Sequence, residues 1–194
     1  MSRSRAEMIE ATRAKLIATA RQAFRQAGYA ATSMDDFTAA AGLTRGALYH
    51  HFGDKKGLLA AVVGQIDAEM DLRLTAIAEQ APDAWTAFRD RCRGYLEMAA
   101  DPEIRRIVLQ DARAVLAPAP GASQPQCVAS LSALLQRLMD DGVVEPADSR
   151  ALARLVNGSL ADSAFWIAEE GDGFERLAHA LQALDLLLRG LLRR

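Results

Sequence analysis

The sequence predicts an all-α chain: an N-terminal three-helix unit containing a helix-turn-helix, then a C-terminal helical bundle, about nine helices in all. Three observations predict it. Apolar residues recur at three- and four-residue steps along most of the 194 residues, while β-branched alternation is scarce. Ser, Thr or Asp precedes many of these segments and Gly follows them, the punctuation of helix starts and stops. The hydrophobic fraction of 51% is enough to fill a core and excludes a mainly disordered chain.

The first helix is expected from about Ala6 to Ala27, where Ile9, Leu16, Ala20, Phe24 and Ala27 share a face. Gly28 supplies the left-handed residue that ends it. Ser33 caps a second helix, Met34 to Ala41, with Asp36 as the acid of a capping box. Gly42 closes that helix, Leu43 plugs the corner, and Thr44 caps a third helix, Arg45 to His51. A long fourth helix starts at Lys55, behind Asp54, and carries the stripe Leu59, Val63, Ile66, Met70, Leu74 and Ile77. Pro82 marks its end. A fifth helix carries Trp85, Phe88, Tyr95, Leu96 and Met98, and Asp101-Pro102 starts a sixth that runs to about Leu116. Residues 117–125 are the one clear Pro/Gly/Ser loop. The seventh helix ends at Asp141 before Gly142, the eighth covers Pro146 to Ala168 and the ninth Gly173 to Arg193. A domain boundary is expected between residues 54 and 55, dividing the chain into 1–54 and 55–194.

Charge is unevenly distributed. Residues 1–56 hold nine Lys or Arg against five Asp or Glu, a balance of +4, whereas residues 57–194 carry −6. A basic start on an acidic remainder suggests that one end meets a polyanion. Two cysteines, Cys92 and Cys127, are too few for a disulfide framework, so free thiols in a reducing compartment are expected. The basic opening residues lack the apolar stretch and cleavage site of a signal peptide, and no apolar run is long enough to span a bilayer. A cytoplasmic location without membrane association follows as the expectation.

Residues 33–52 have the layout of a helix-turn-helix. The small residues Ala39, Ala40 and Ala41 let one helix pack on the next, Gly42 tolerates positive φ, and a capped helix start is left to face a major groove. The stretch from Gly28-Tyr29 through Thr32-Ser33-Met34, Ala41-Gly42-Leu43-Thr44-Arg45-Gly46-Ala47-Leu48-Tyr49-His50-His51-Phe52 and Asp54-Lys55-Lys56-Gly57-Leu58-Leu59 resembles the DNA-binding domain of the tetracycline-repressor (TetR) family. The resemblance covers about residues 12–63. Residues 105–116 are similar to one C-terminal subgroup, with Arg113 where that subgroup usually has proline. The resemblance implies a homodimer, a two-fold double-stranded DNA operator and an all-helical effector-binding domain; a repressor released by a small molecule is the expected function.

On the DNA side Arg45, one residue past the cap, is the candidate for base readout, because its fork matches guanine O6 and N7. Gly46 lets the backbone approach the duplex, and Thr44 can cap the helix and bond a phosphate. Tyr49 and His50 resemble the family's phosphate contacts. Lys55 and Lys56 add positive charge at a helix start, and the amides near Ser33 offer an anion site. Adjacent residues on a helix point about 100° apart, so His50 and His51 are not expected to share a metal ion.

On the sensing side Trp85, Phe88, Tyr95, Met98, Phe165 and Trp166 are the aromatic and soft residues available to line a pocket, with Asp111 or Arg113 to orient a polar ligand. Phe174, Leu177, Leu181, Leu184, Leu188 and Leu191 step by three and four like a coiled-coil seam, and the eighth helix is rich in small residues. Leu160, Ala164, Leu177, Leu181, Leu184, Leu188 and Leu191 are therefore expected in a two-fold four-helix interface. No nucleophile with a base, metal-spaced cluster or glycine-rich phosphate loop marks an enzyme, and no cofactor is expected. The remaining alternative is a ligand- or protein-binding helical module that does not read DNA sequence.

Overall fold

The computed structural model describes residues 4–116, 124–169 and 171–193. Among them lie nine helices: α1 (Arg5–Ala27), α2 (Met34–Ala41), α3 (Arg45–Phe52), α4 (Lys55–Glu79), α5 (Ala84–Met98), α6 (Ile104–Ala112 continued by Arg113–Leu116), α7 (Gln124–Asp140), α8 (Ser149–Ala168) and α9 (Gly173–Arg189). The fold class is therefore as the periodicity predicts. The loop expected over 117–125 lies outside the described residues as far as 123, and its last two residues open α7.

The boundaries follow local hydrogen bonding. Helix α1 starts one residue before its expected first residue, because Ser4 and Glu7 form a capping box. Helix α8 starts at Ser149, not Pro146, because the Asp148 carboxylate accepts the Ala151 amide at 2.6 Å. Helix α9 stops at Arg189. The residues after it turn back, the Arg193 amide donating to the Val143 carbonyl at 2.9 Å and the Glu145 amide to the Leu191 carbonyl at 3.0 Å. In α6, residues Ile104–Ala112 are wound as a π-helix, whose hydrogen bonds span i→i+5 in place of the i→i+4 step expected of an α-helix.

The chain divides into two compact units. One gathers Met1–Ile66 with Arg106–Pro118, the other Asp67–Arg105 with Ala119–Arg194. In the first, α1 packs on α2 and α2 on α3. Phe24 is its centre: fully buried, it meets Phe37 edge-on with ring centroids 5.3 Å apart and Tyr29 at 5.7 Å. Leu16, Ala41, Leu48, Leu58, Leu59 and Val62 complete this core.

In the second unit α5 packs against α7, α8 and α9, and α8 against α7 and α9. A Cβ at Gly94 would lie 2.8 Å from Ile77 Cδ1, so the glycine lets α5 lie close against the Ile77 side chain of α4. Phe88, Cys92, Leu96, Leu135, Leu138, Val156 and Leu188 are buried in this core.

Candidate nucleic-acid interface and sensing unit

The turn of the helix-turn-helix is built from main-chain geometry. Gly42 is left-handed at φ 61° and donates to the carbonyls of Ala39 and Thr38, which closes α2. Thr44 then caps α3 by accepting the Ala47 amide at 3.3 Å. Leu48 anchors α3 in the core, while Arg45, Gly46, Tyr49 and His50 stay exposed on its outer side. His51 is half-buried, with its ring centroid 5.6 Å from that of His50. Phe52 lies under the Arg13 guanidinium at 5.7 Å, tying α3 to α1.

Two of the expected phosphate contacts are engaged inside the unit. The Lys55 ammonium donates to the Tyr29 and Thr32 carbonyls and sits 4.1 Å from the centroid of the Tyr29 ring. Desolvation lowers its pKa, opposed by the charges of Asp111 and Asp36. Lys55 is thus a clasp on the turn between α1 and α2, and Lys56 is the exposed lysine at this helix start. At Ser33 the anion site is likewise closed. The Asp36 carboxylate accepts the Ser33 amide at 2.8 Å and its hydroxyl at 2.7 Å, and these bonds lower the Asp36 pKa.

Asp111, expected beside a ligand, belongs to this same unit. It accepts the Tyr29 amide at 2.8 Å and lies 3.7 Å from the Arg106 guanidinium, which donates to the Ala27 carbonyl at 3.1 Å. Gly28, at φ 79°, leaves room for that arginine: a Cβ there would fall 2.0 Å from Arg106 Nη2. Sequence reasoning missed Arg106, because the Ala27 carbonyl that it reaches lies 79 residues away along the chain and nothing local signals it.

In the second unit Phe88 is fully buried, and Trp85 meets it at 6.0 Å between ring centroids. Tyr95, Met98 and Phe165 are half-buried, whereas Trp166 is exposed and its carbonyl accepts an Arg176 donor at 3.0 Å. Arg91, which sequence reasoning also missed, is buried and pairs with Asp71 at 2.8 Å. Burial pushes the Tyr95 hydroxyl and the Cys92 thiol each up to about 12 and raises Cys127 as well, so both thiols stay protonated at neutral pH. A groove of about 870 Å³ opens between α7 and α8, with Ser132, Gln136, Arg150, Arg154 and Asn157 among its walls; it contains none of the aromatic residues expected to line a pocket.

Leu160, Ala164, Leu184 and Leu188, expected between copies of the chain, are instead buried within this unit. The 3–4 step identifies the apolar face of α9 but not its partner, and α5 and α8 take that face. Leu177, Leu181 and Leu191 are half-buried. The outward apolar residues of α8 and α9 are Leu155 (72% exposed), Trp166, Phe174 (82%), Leu186 (70%) and Leu187.

Comparison with known proteins agrees with this architecture. The family model for bacterial regulatory proteins of the tetR family matches residues 16–62, and that for the tetracyclin repressor-like C-terminal domain matches residues 85–191. A crystal structure of a TetR-family transcriptional regulator from Pectobacterium atrosepticum is 64% identical, covers 99% of both chains and superposes with a TM-score of 0.93. The Transposon Tn10 TetC protein of Escherichia coli is 28% identical over 154 residues, 78% of each chain. The HTH-type transcriptional regulator AcrR of Shigella flexneri is 30% identical over 111 residues, which is 57% of this chain and 52% of that protein. Among the described residues no helix is long and apolar enough to cross a membrane, and no cluster of His, Cys, Asp and Glu could hold a metal ion.

Proposed function

Because the chain belongs to the tetracycline-repressor family of helix-turn-helix regulators, we propose that it acts as a homodimeric, non-catalytic repressor whose hold on a two-fold operator is released by a small molecule. One observation carries the DNA side. The start of α3 stands clear of the core with Arg45, Gly46, Tyr49 and His50 all exposed, while Leu48 fixes the helix from behind. That is the arrangement a recognition helix needs to enter a major groove.

A second copy covers the outward apolar residues of α8 and α9, where the exposed Gly158 and Ser159 allow close approach. The half-buried Leu177, Leu181 and Leu191 flank that contact. The effector is held in the second unit near Trp85, Tyr95, Met98 and Phe165, and its binding favours a dimer whose recognition helices no longer match grooves about 34 Å apart.

Footprinting of the DNA upstream of its own coding region tests this reading. The expected result is a protected site with two half-sites about 10 base pairs apart centre to centre, and a footprint that weakens for Leu155→Glu. Absence of protection at any protein concentration that saturates non-specific DNA would overturn it. Native mass spectrometry of the purified dimer identifies any effector carried through purification.

A further inference from the structure

The start of α2 places two carboxylates, Asp35 and Asp36, beside a surface that is to meet phosphate. Asp36 is accounted for by the cap on Ser33. Asp35 is not part of the cap. Its Oδ1 lies 2.8 Å from Nε of Arg45, across the turn on α3, and the two side chains are 64% and 62% exposed. So exposed a pair contributes little to stability, and an acid in the first turn of α2 answers the helix dipole, but neither accounts for its contact with Arg45.

The geometry does. A guanidinium offers five N–H donors in one plane. With its Nε side turned to the Asp35 carboxylate in a charge contact, the guanidinium keeps the edge formed by Nη1 and Nη2 without a partner among the described residues. Those two parallel donors are the set that fits O6 and N7 of guanine in the major groove. An arginine without such a support, at the exposed start of a helix, is free to swing to the nearest phosphate, which carries no sequence information. The carboxylate opposes that swing, since it repels the phosphate backbone and attracts the guanidinium by charge.

We propose that Asp35 is a positioning residue that aims Arg45 at one guanine in each half-site, so that an acidic residue on α2 sets a base preference read from α3. This rests on the DNA-binding reading above and adds to it the identity of a base and the residue that enforces it.

Selection of duplexes from a randomised library by the full-length protein, followed by anisotropy titration, tests it. Wild type, Asp35→Ala, Asp35→Asn and Arg45→Ala are compared, with equal melting temperatures confirming that all four fold. Wild type is expected to select one invariant guanine per half-site and to bind about tenfold more weakly when that guanine is replaced by 7-deazaguanine, which lacks N7. Arg45→Ala and Asp35→Ala both lose this discrimination at the same position. Asp35→Ala binds unrelated duplex as well as wild type or better, because a negative charge has gone, and Asp35→Asn, which keeps the shape and lacks the charge, loses the preference likewise. Retention of the guanine preference by Asp35→Ala overturns the positioning role; its retention by Arg45→Ala overturns the assignment of the reader. A wild type that selects no sequence fails at the earlier step and removes the parent reading together with this one.

Discussion

In the N-terminal unit charged side chains reach main-chain groups: Lys55 holds the Tyr29 and Thr32 carbonyls, Arg106 the Ala27 carbonyl, and Asp111 the Tyr29 amide. In the second unit such bonds gather at the end of α8, where Arg105 donates to the Ala168 and Glu169 carbonyls and Arg176 to that of Trp166, while its interior helices meet mainly through apolar side chains and ion pairs such as Arg91 with Asp71 and Arg93 with Asp185. The difference matches what each unit has to do. Directional bonds to the backbone fix the path of a short turn, and a recognition helix fails if that path shifts by an ångström. Non-directional packing tolerates rearrangement of neighbouring side chains, which suits a unit that admits a ligand.

Substitutions sharpen the contrast, the largest effect first. Asp71→Ala strands the buried Arg91 guanidinium. It is expected to cost about 3 kcal/mol in urea unfolding, the low end of the range for a buried pair because Asp71 is partly hydrated. A loss below about 1 kcal/mol would show that Arg91 finds water or another acceptor.

Gly28→Ala tests the polar clamp. Both the positive φ and the Arg106 side chain oppose a Cβ, so a loss of about 2 kcal/mol is expected, with weaker DNA binding. If DNA affinity is unchanged while stability falls, the clamp does not govern the turn that leads into α2.

Gly46→Ala separates stability from function. The nearest atom to a Cβ there is Thr44 Oγ1 at 3.9 Å, so the helix has room and gains about 0.5–1 kcal/mol. DNA binding is nonetheless expected to weaken, because the added methyl faces the duplex. Unchanged affinity would place Gly46 away from the DNA.

The smallest effect is the pH response of the α5 cap. Hydrogen bonds from the Thr86 amide and hydroxyl hold the Asp83 carboxyl below the usual carboxylate range. A carboxylate with a lowered folded-state pKa stabilises the fold above its ordinary value, and that contribution is lost as pH falls through the lowered one. Asp83→Asn is therefore expected to lower the melting temperature slightly at neutral pH and to match wild type in strong acid. Equal melting temperatures at neutral pH would dismiss the cap.

How much of this could be read from the sequence depended on the distance between partners. Ser33, Gly42 and Thr44 act on residues three or four positions away, so α2, the turn and α3 were legible to within the one residue, Phe52, by which α3 runs on. Lys55 was legible only as a charge at a helix start; the carbonyls that engage it lie 23 and 26 residues back. Asp111 bonds an amide 82 residues away and gave no local sign of it. For α9 the periodicity revealed which leucines were apolar neighbours, yet Leu184 and Leu188 are buried in the protomer and Phe174 and Leu186 stand outward. Burial depends on which helices arrive next to a face, and a single chain's pattern does not encode that.

The central claim, that the outer side of α3 and the start of α4 lie against a duplex, is tested most directly by the salt dependence of operator binding. Affinity is expected to fall steeply with salt, and Lys56→Ala to reduce the logarithmic slope by about 1. Lys55→Met should leave the slope unchanged, although it lowers the melting temperature. A wild-type affinity indifferent to salt, or a slope that Lys56→Ala does not alter while Lys55→Met does, would contradict the account.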